Sequence, residues 1–149
     1  MPSLFEPAVA QSIEQRIQSL QSNYERQWGK MSLSQMMAHV RFVMELGTGE
    51  KTEKITLLGK LLSPIIKKVA LSKQPYKQGL PTGASFIIKE EKNFEEEKEK
   101  LLQTYHHFVS AGEAGVAGKS HPAFGKLTAE EWGFSQWKHL DHHLRQFNA

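Results

Sequence analysis

Four stretches of this chain place apolar residues every three or four positions, and none alternates them over the length of a strand. That period lets an α-helix turn one face to a core, so the chain is constrained to helix-on-helix packing from the outset. The first stripe is Val9, Ile13, Ile17, Leu20, Tyr24 and Trp28, which predicts a helix over 8–28 stopped by Gly29. A second begins after Ser32, which forms an S-x-x-Q capping box with Gln35. Its stripe runs Leu33, Met36, Met37, Val40, Val43 and Met44 until Gly47 and Gly49. A third helix is predicted over 93–111. Asn93 is its N-cap, Glu95, Glu96 and Glu97 suit the positive end of the dipole, and Gly112 ends it. The last opens on Thr128 and Glu131, a second capping box, and reaches Phe147 with Trp132, Trp137, Leu140 and Leu144 on its apolar face.

The remaining segments are less regular. Ile55–Leu62 reads as a short helix, and Pro64 suits the first turn of another through Leu71. Pro75, Gly79, Pro81 and Gly83 mark an extended loop, and residues 112–127 a Gly-rich one. Phe86-Ile87-Ile88 is strand-like but too short and isolated to found a sheet. The expected fold is therefore all-α: one domain over 1–149, a four-helix bundle with a long crossover between its second and third helices. The length of 149 residues suits a single core that needs no staples.

The chain has no cysteine, which excludes disulfides, zinc–thiolate sites, iron–sulfur clusters and a cysteine nucleophile. Any thiol chemistry needs a thiol from outside, and any metal must be held by His, Asp or Glu. A net charge of +3 is mild. The lysines between the second and third helices lack interleaved aromatics, so no nucleic-acid partner is expected. Those lysines suit short helices that pack on the bundle with their ammonium groups in water. No secretory signal or membrane-length apolar run is present, and the expected setting is cytoplasmic, away from membranes. Gly118-Lys119-Ser120 misses the phosphate-loop pattern, because Glu113 stands where its first Gly is needed and Pro122 follows.

The seven histidines cluster late in the sequence. His139 and His143 are four apart, so both rings project from one helix face and could share a metal. At about 100° per residue they line up with Trp132 and Gln136 beside the apolar stripe. His142 points further toward solvent. His39 lies on the second helix beside Met36, Val43 and Leu46. Alone, an imidazole in such a place is more often a hydrogen-bonded core residue. With His139 and His143 it would complete three imidazoles from two facing helices, the way bundles build metal sites.

Three segments are similar to the DinB-like (YfiT-like) superfamily of metal-dependent four-helix enzymes. They are Trp28-Gly29-Lys30-Met31-Ser32-Leu33-Ser34-Gln35-Met36-Met37-Ala38-His39, His121-Pro122-Ala123-Phe124-Gly125-Lys126-Leu127-Thr128-Ala129-Glu130-Glu131-Trp132 and His139-Leu140-Asp141-His142-His143-Leu144-Arg145-Gln146. More narrowly, the chain resembles a branch of that superfamily with no assigned activity. The resemblance implies the crossover bundle and a divalent metal held by His39, His139 and His143. It also implies a homodimer and relatives that use a low-molecular-weight thiol to transfer or isomerise small molecules. Arg145 departs from the pattern, since many relatives carry Gly before the Gln; a bulky residue there is expected to narrow the pocket.

Two functions follow as expectations. The first is a metal-dependent enzyme, a thiol S-transferase or a hydrolase, acting on a small-molecule substrate. All-His ligation suits Zn, Ni, Fe or Cu alike, so the metal is not readable. The second is a non-catalytic, stress-related scaffold bundle with a vestigial His site. Among the other candidates, His121 reads as a turn residue and His106 and His107 as surface groups. Gln136 could orient a substrate or water, Asp141 reads as solvated, and Trp132 and Trp137 as core.

Overall fold

A computed structural model describes residues 1–54 and 57–149. These residues are all-α in character: five α-helices, one short 3₁₀ turn and one minimal hairpin. The helices are α1 (Pro7–Ser19), α2 (Leu33–Thr48), α3 (Leu57–Ala70), α4 (Phe94–Val116) and α5 (Ala129–Gln146). Two-residue strands β1 (Ser120–His121) and β2 (Gly125–Lys126) pair antiparallel between α4 and α5. None of the helices among the described residues is long and apolar enough to cross a membrane.

The core is drawn from α1, α2, α4 and α5, with α4 and α5 touching each other and both α1 and α2, and contains Ile13, Ile17, Met37, Val40, Leu101, Phe108, Trp132 and Leu144. Both predicted capping boxes form: Ser32 with Gln35, and Thr128 with Glu131. α2 and α4 are tied by ions as well as by apolar contact. Arg41 reaches Glu45 at 2.6 Å and Glu97 at 3.1 Å, and both carboxylates are buried. Gly47 allows Phe108 and Trp132 to approach α2 closely. A Cβ there would stand 2.8 Å from the Phe108 ring and 3.2 Å from Trp132.

Several boundaries differ from expectation. α1 stops at Ser19, although the apolar period continues to Trp28. Ser19, Ser22 and Asn23 are weak helix formers that compete for backbone bonds, and the chain beyond finds other partners. The Gln27 N–H donates to the Gln146 carbonyl at 2.7 Å, and Gln146 Nε2 donates to the Trp28 carbonyl at 2.7 Å. α4 runs past Gly112, which sits at φ +61° and kinks the helix before Val116. The expected pair of short helices is one helix, α3, that continues through Pro64. Of the predicted first piece, Ile55 and Thr56 lie outside the described residues. Phe86 ends a short 3₁₀ turn (Ala84–Phe86) and joins no sheet.

α3 also faces the other way from expectation. Its polar edge meets the body, where Lys67 Nζ bonds the Lys126 carbonyl at 2.9 Å and Glu131 at 2.8 Å. The buried Lys138 of α5 caps its C-terminal end, donating to the carbonyls of Ala70 at 2.8 Å and Ser72 at 2.7 Å. Leu61, Ile65 and Val69 are left exposed.

Candidate metal centre

His39 projects from α2 toward α5, where His139 and His143 stand one turn apart. The three predicted residues meet. Their ring centroids are 4.7–4.9 Å apart, each pair steeply inclined. One nitrogen from each lies within 4.8 Å of the others, and His39 Nε2 is 3.0 Å from His139 Nε2. Imidazoles around a tetrahedral metal have nitrogens about 3.3 Å apart, so this arrangement needs only small side-chain movement to enclose an ion.

The groups behind the rings decide which nitrogen faces inward. His39 Nδ1 lies 2.9 Å from the Phe86 carbonyl, which can only accept, so that nitrogen carries the proton and Nε2 keeps its lone pair. His143 Nδ1 is 2.9 Å from Gln146 Oε1, with the same result. Gln146 is itself held, since its Nε2 is spent on the Trp28 carbonyl. Such partners characterise histidines that ligate metals. His139 is different. Its Nδ1 is buried without a hydrogen-bond partner, and so is Oε1 of the neighbouring Gln136. A hydrogen bond between His39 and His139 uses only the Nε2 atoms and leaves the orphan unsatisfied.

Burial keeps the triad uncharged. It lowers His39, against a smaller opposing effect of the Phe86 carbonyl. It pushes His143 down to about 3, with His39 adding to the effect and Gln146 opposing it. It takes His139 well below the ordinary imidazole range, reinforced by the neighbouring imidazoles. Neutral imidazoles are what a metal requires, and they cost less to bury than charged ones.

The triad lies in the wall of a cavity of about 560 Å³. Val43, Ile66, Val69, Leu80, Phe86 and Phe124 give it a mainly apolar lining, and Gln136 and His121 are among its polar members. His121 is not a simple turn residue. Its ring is buried and stacked between Phe124 at 3.9 Å and Phe86 at 6.0 Å. The Ala123 N–H donates to its Nδ1 at 3.1 Å, so the neutral ring carries its proton on Nε2. Burial lowers its pKa to about 4. His142 is half-buried rather than solvent-directed, packing on Trp28 and Tyr76 at the cavity's edge. Arg145 does not narrow this cavity. It turns outward, pairs with Asp141 and lines a separate recess beside Trp28 and Tyr76.

The other candidates fall away from the centre. Asp141 is mostly buried and bonds Arg16 at 2.8 Å, so it is paired rather than free in water. His106 and His107 are surface groups facing Glu14 and Glu50. Trp132 is fully buried core, while Trp137 is only partly covered. Sequence reasoning did not assign roles to Gln146, Lys138 or the Phe86 carbonyl. Gln146 had a usable signal, an amide one turn after His143. Lys138 shares a face with Phe134, which the core stripe did not include. A backbone carbonyl leaves no mark in composition or period.

The family described as "Protein of unknown function (DUF1569)" matches residues 6–149, and the chain belongs to it. No curated protein and no solved structure matches the chain.

Proposed function

We propose that this DUF1569 chain is a DinB-like four-helix-bundle protein with a divalent metal, Zn, Ni or Fe, held by His39, His139 and His143. On this reading it is a metal-dependent thiol S-transferase or hydrolase that acts on a small apolar molecule. The observation that carries the reading is the pair of fixed tautomers. Phe86 and Gln146 each hold a proton on the far side of an imidazole, so that two lone pairs and the His139 ring converge beside one cavity.

A divalent metal there supplies Lewis acidity and lowers the pKa of a thiol or water that meets it. The chain's own residues do the rest. Val43, Phe86 and Phe124 exclude water and hold the apolar body of the substrate. Gln136 is 1% exposed with its Oε1 unpaired, and serves as an acceptor that orients a bound hydroxyl, amine or thiol. His121 keeps its proton on Nε2 and acts as a neutral donor on the same cavity. With no cysteine in the chain, the thiol for S-transfer is a second small molecule.

Metal content by plasma mass spectrometry tests the reading, on untagged protein purified without chelator. Near-stoichiometric metal in the parent and none in His143→Ala is expected. No metal in either, even after soaking in Zn, Ni or Fe, overturns it and leaves a scaffold with a vestigial site.

A further inference from the structure

We propose that α3 docks this protein on the surface of an anionic lipid bilayer, lying in the interface with its outer face among the acyl chains. The inference does not depend on the metal. It starts from the reversed mounting of the helix. An amphipathic helix on a soluble body turns its apolar stripe inward. Here Lys67 is turned to the body, bonded to Lys126 and Glu131, and Ala70 is buried. Leu61, Ile65 and Val69, each four residues from the next, are 75%, 66% and 61% exposed. Leu80 adds another large exposed side chain, at 53%.

Charge identifies the occupant. Residues 51–89 hold eight lysines against one glutamate, a net +7 in a chain whose total is +3. The remainder of the protein is therefore net negative; Lys51 and Lys67 are paired with Glu45 and Glu131, and Lys60, Lys68, Lys73 and Lys77 carry the excess on and just after α3. At 100° per residue Lys68 lies next to Leu61 on the helix surface, with Lys60 further round, and Lys73 and Lys77 follow in exposed chain. None of these four has an acidic partner among the described residues. Long lysine stems can lie along the helix while their ammonium groups reach phosphates. An apolar stripe with basic flanks and no spanning length is the pattern of a helix that lies in an interface. A second copy placed face to face would set one lysine-rich segment against another, which disfavours self-association through this surface.

The other consequence is one of position. Ile65 and Val69 also line the cavity beside the imidazoles, so the docked face and the cavity mouth coincide. The site would then open toward the lipid rather than toward bulk water.

Flotation with vesicles tests the proposal, using the full chain with chelator present. One set is phosphatidylcholine mixed with phosphatidylglycerol, the other phosphatidylcholine alone. The parent is expected to float with the anionic vesicles only, and to be released by added salt. A Leu61→Ser/Ile65→Ser/Val69→Ser variant changes exposed side chains and so keeps its fold, checked by circular dichroism. It is expected to lose affinity on the order of a hundredfold. Each charge reversal among Lys60, Lys68, Lys73 and Lys77 should cost at least about fivefold. Failure of the parent to float with anionic vesicles overturns the proposal. So does a serine variant that floats as well as the parent. A parent that sediments as a dimer, and becomes a monomer on the serine changes, gives the face to a second copy and also overturns it.

Discussion

Gln146→Leu separates a metal centre from three histidines that merely pack together. The substitution keeps the volume and apolar contacts of a residue that is 2% exposed, but removes both amide bonds. His143 loses the acceptor that holds its Nδ1 proton at 2.9 Å, and the Trp28 carbonyl loses a donor at 2.7 Å. Each buried group left unpaired costs about 1–3 kcal/mol, so the two together cost about 2–6 kcal/mol of stability. At about 2–4 °C per kcal/mol for a chain of this size, that lowers the Tm by about 4–24 °C. The effect on metal is distinct. With Nδ1 released, His143 can rotate or take the other tautomer, and loss of such a partner weakens metal affinity about 10–100-fold. That fold-change is about 1.4–2.7 kcal/mol of binding free energy. Zinc affinity would be read by competition with a chromophoric chelator well below the Tm, with the melting curve recorded separately. Gln146→Glu is the useful comparison. It keeps an acceptor for His143 but sets a carboxylate against the Trp28 carbonyl, so it should lose stability while holding more of the metal affinity. If Gln146→Leu lowers the Tm as expected yet binds zinc within twofold of the parent, His143 is not oriented by Gln146 and the account of the fixed tautomers fails.

Buried neutral imidazoles also set a pH dependence. The unfolded chain protonates His121 and His143 near pH 6.5, while the folded chain resists until about 4 at His121 and about 3 at His143. Stability is therefore fully present above that unfolded value and is lost as pH falls through the window, by up to about 3 kcal/mol for His121 alone. Urea midpoints across the range should show the decline, and His121→Phe should flatten it; a parent whose midpoint is level from neutral pH to about 4.5 contradicts the assignment. Lys138→Met removes the donor to the carbonyls of Ala70 and Ser72, each bond to a charged group being worth about 1.5–3 kcal/mol. Hydrogen exchange should quicken in α3 more than in α2, and equal protection of α3 in parent and variant would show that Lys138 does not secure it. Arg41→Met leaves Glu45 to Lys51 at 2.7 Å and Glu97 to Lys100 at 3.5 Å, two half-exposed partners, so the cost at neutral pH is about 2–3 kcal/mol, below the about 3–5 kcal/mol of a buried charge left with none. A loss below about 1 kcal/mol in chemical denaturation would mean that water already reaches those carboxylates.

What was legible in the sequence was whatever repeats along one helix. The stripes of α2, α4 and α5 and both capping boxes stand where period and spacing put them. His139 and His143 could be paired because four residues is one turn. His39 could be added because it lies on an apolar face rather than a polar one. Period alone failed where tertiary bonds took over. Tyr24 and Trp28 keep helical spacing, yet the backbone around them is bonded to Gln146. α3 has the clearest amphipathic pattern in the middle of the chain, but pattern does not say which face is covered. That was settled by Lys67 and Lys138, through bonds to residues distant in sequence. His121 was hidden for a similar reason, since its stack needs Phe86 from another segment.

The fit of Gly47 against Phe108 and Trp132 also bears on how this sequence can change over generations. With 2.8 Å between a new Cβ and the Phe108 ring, a lineage can accept alanine at position 47 only if the aromatic residues at 108 and 132 shrink or shift. The three positions should therefore substitute together across related chains, or not at all. His39 rides on the same helix, and the depth at which α2 seats governs how near its imidazole comes to α5. Selection for the three imidazoles and selection for a dense interior then act on a single displacement. Drift at position 47 would be visible first as a loss of the site and only later as a loss of the fold.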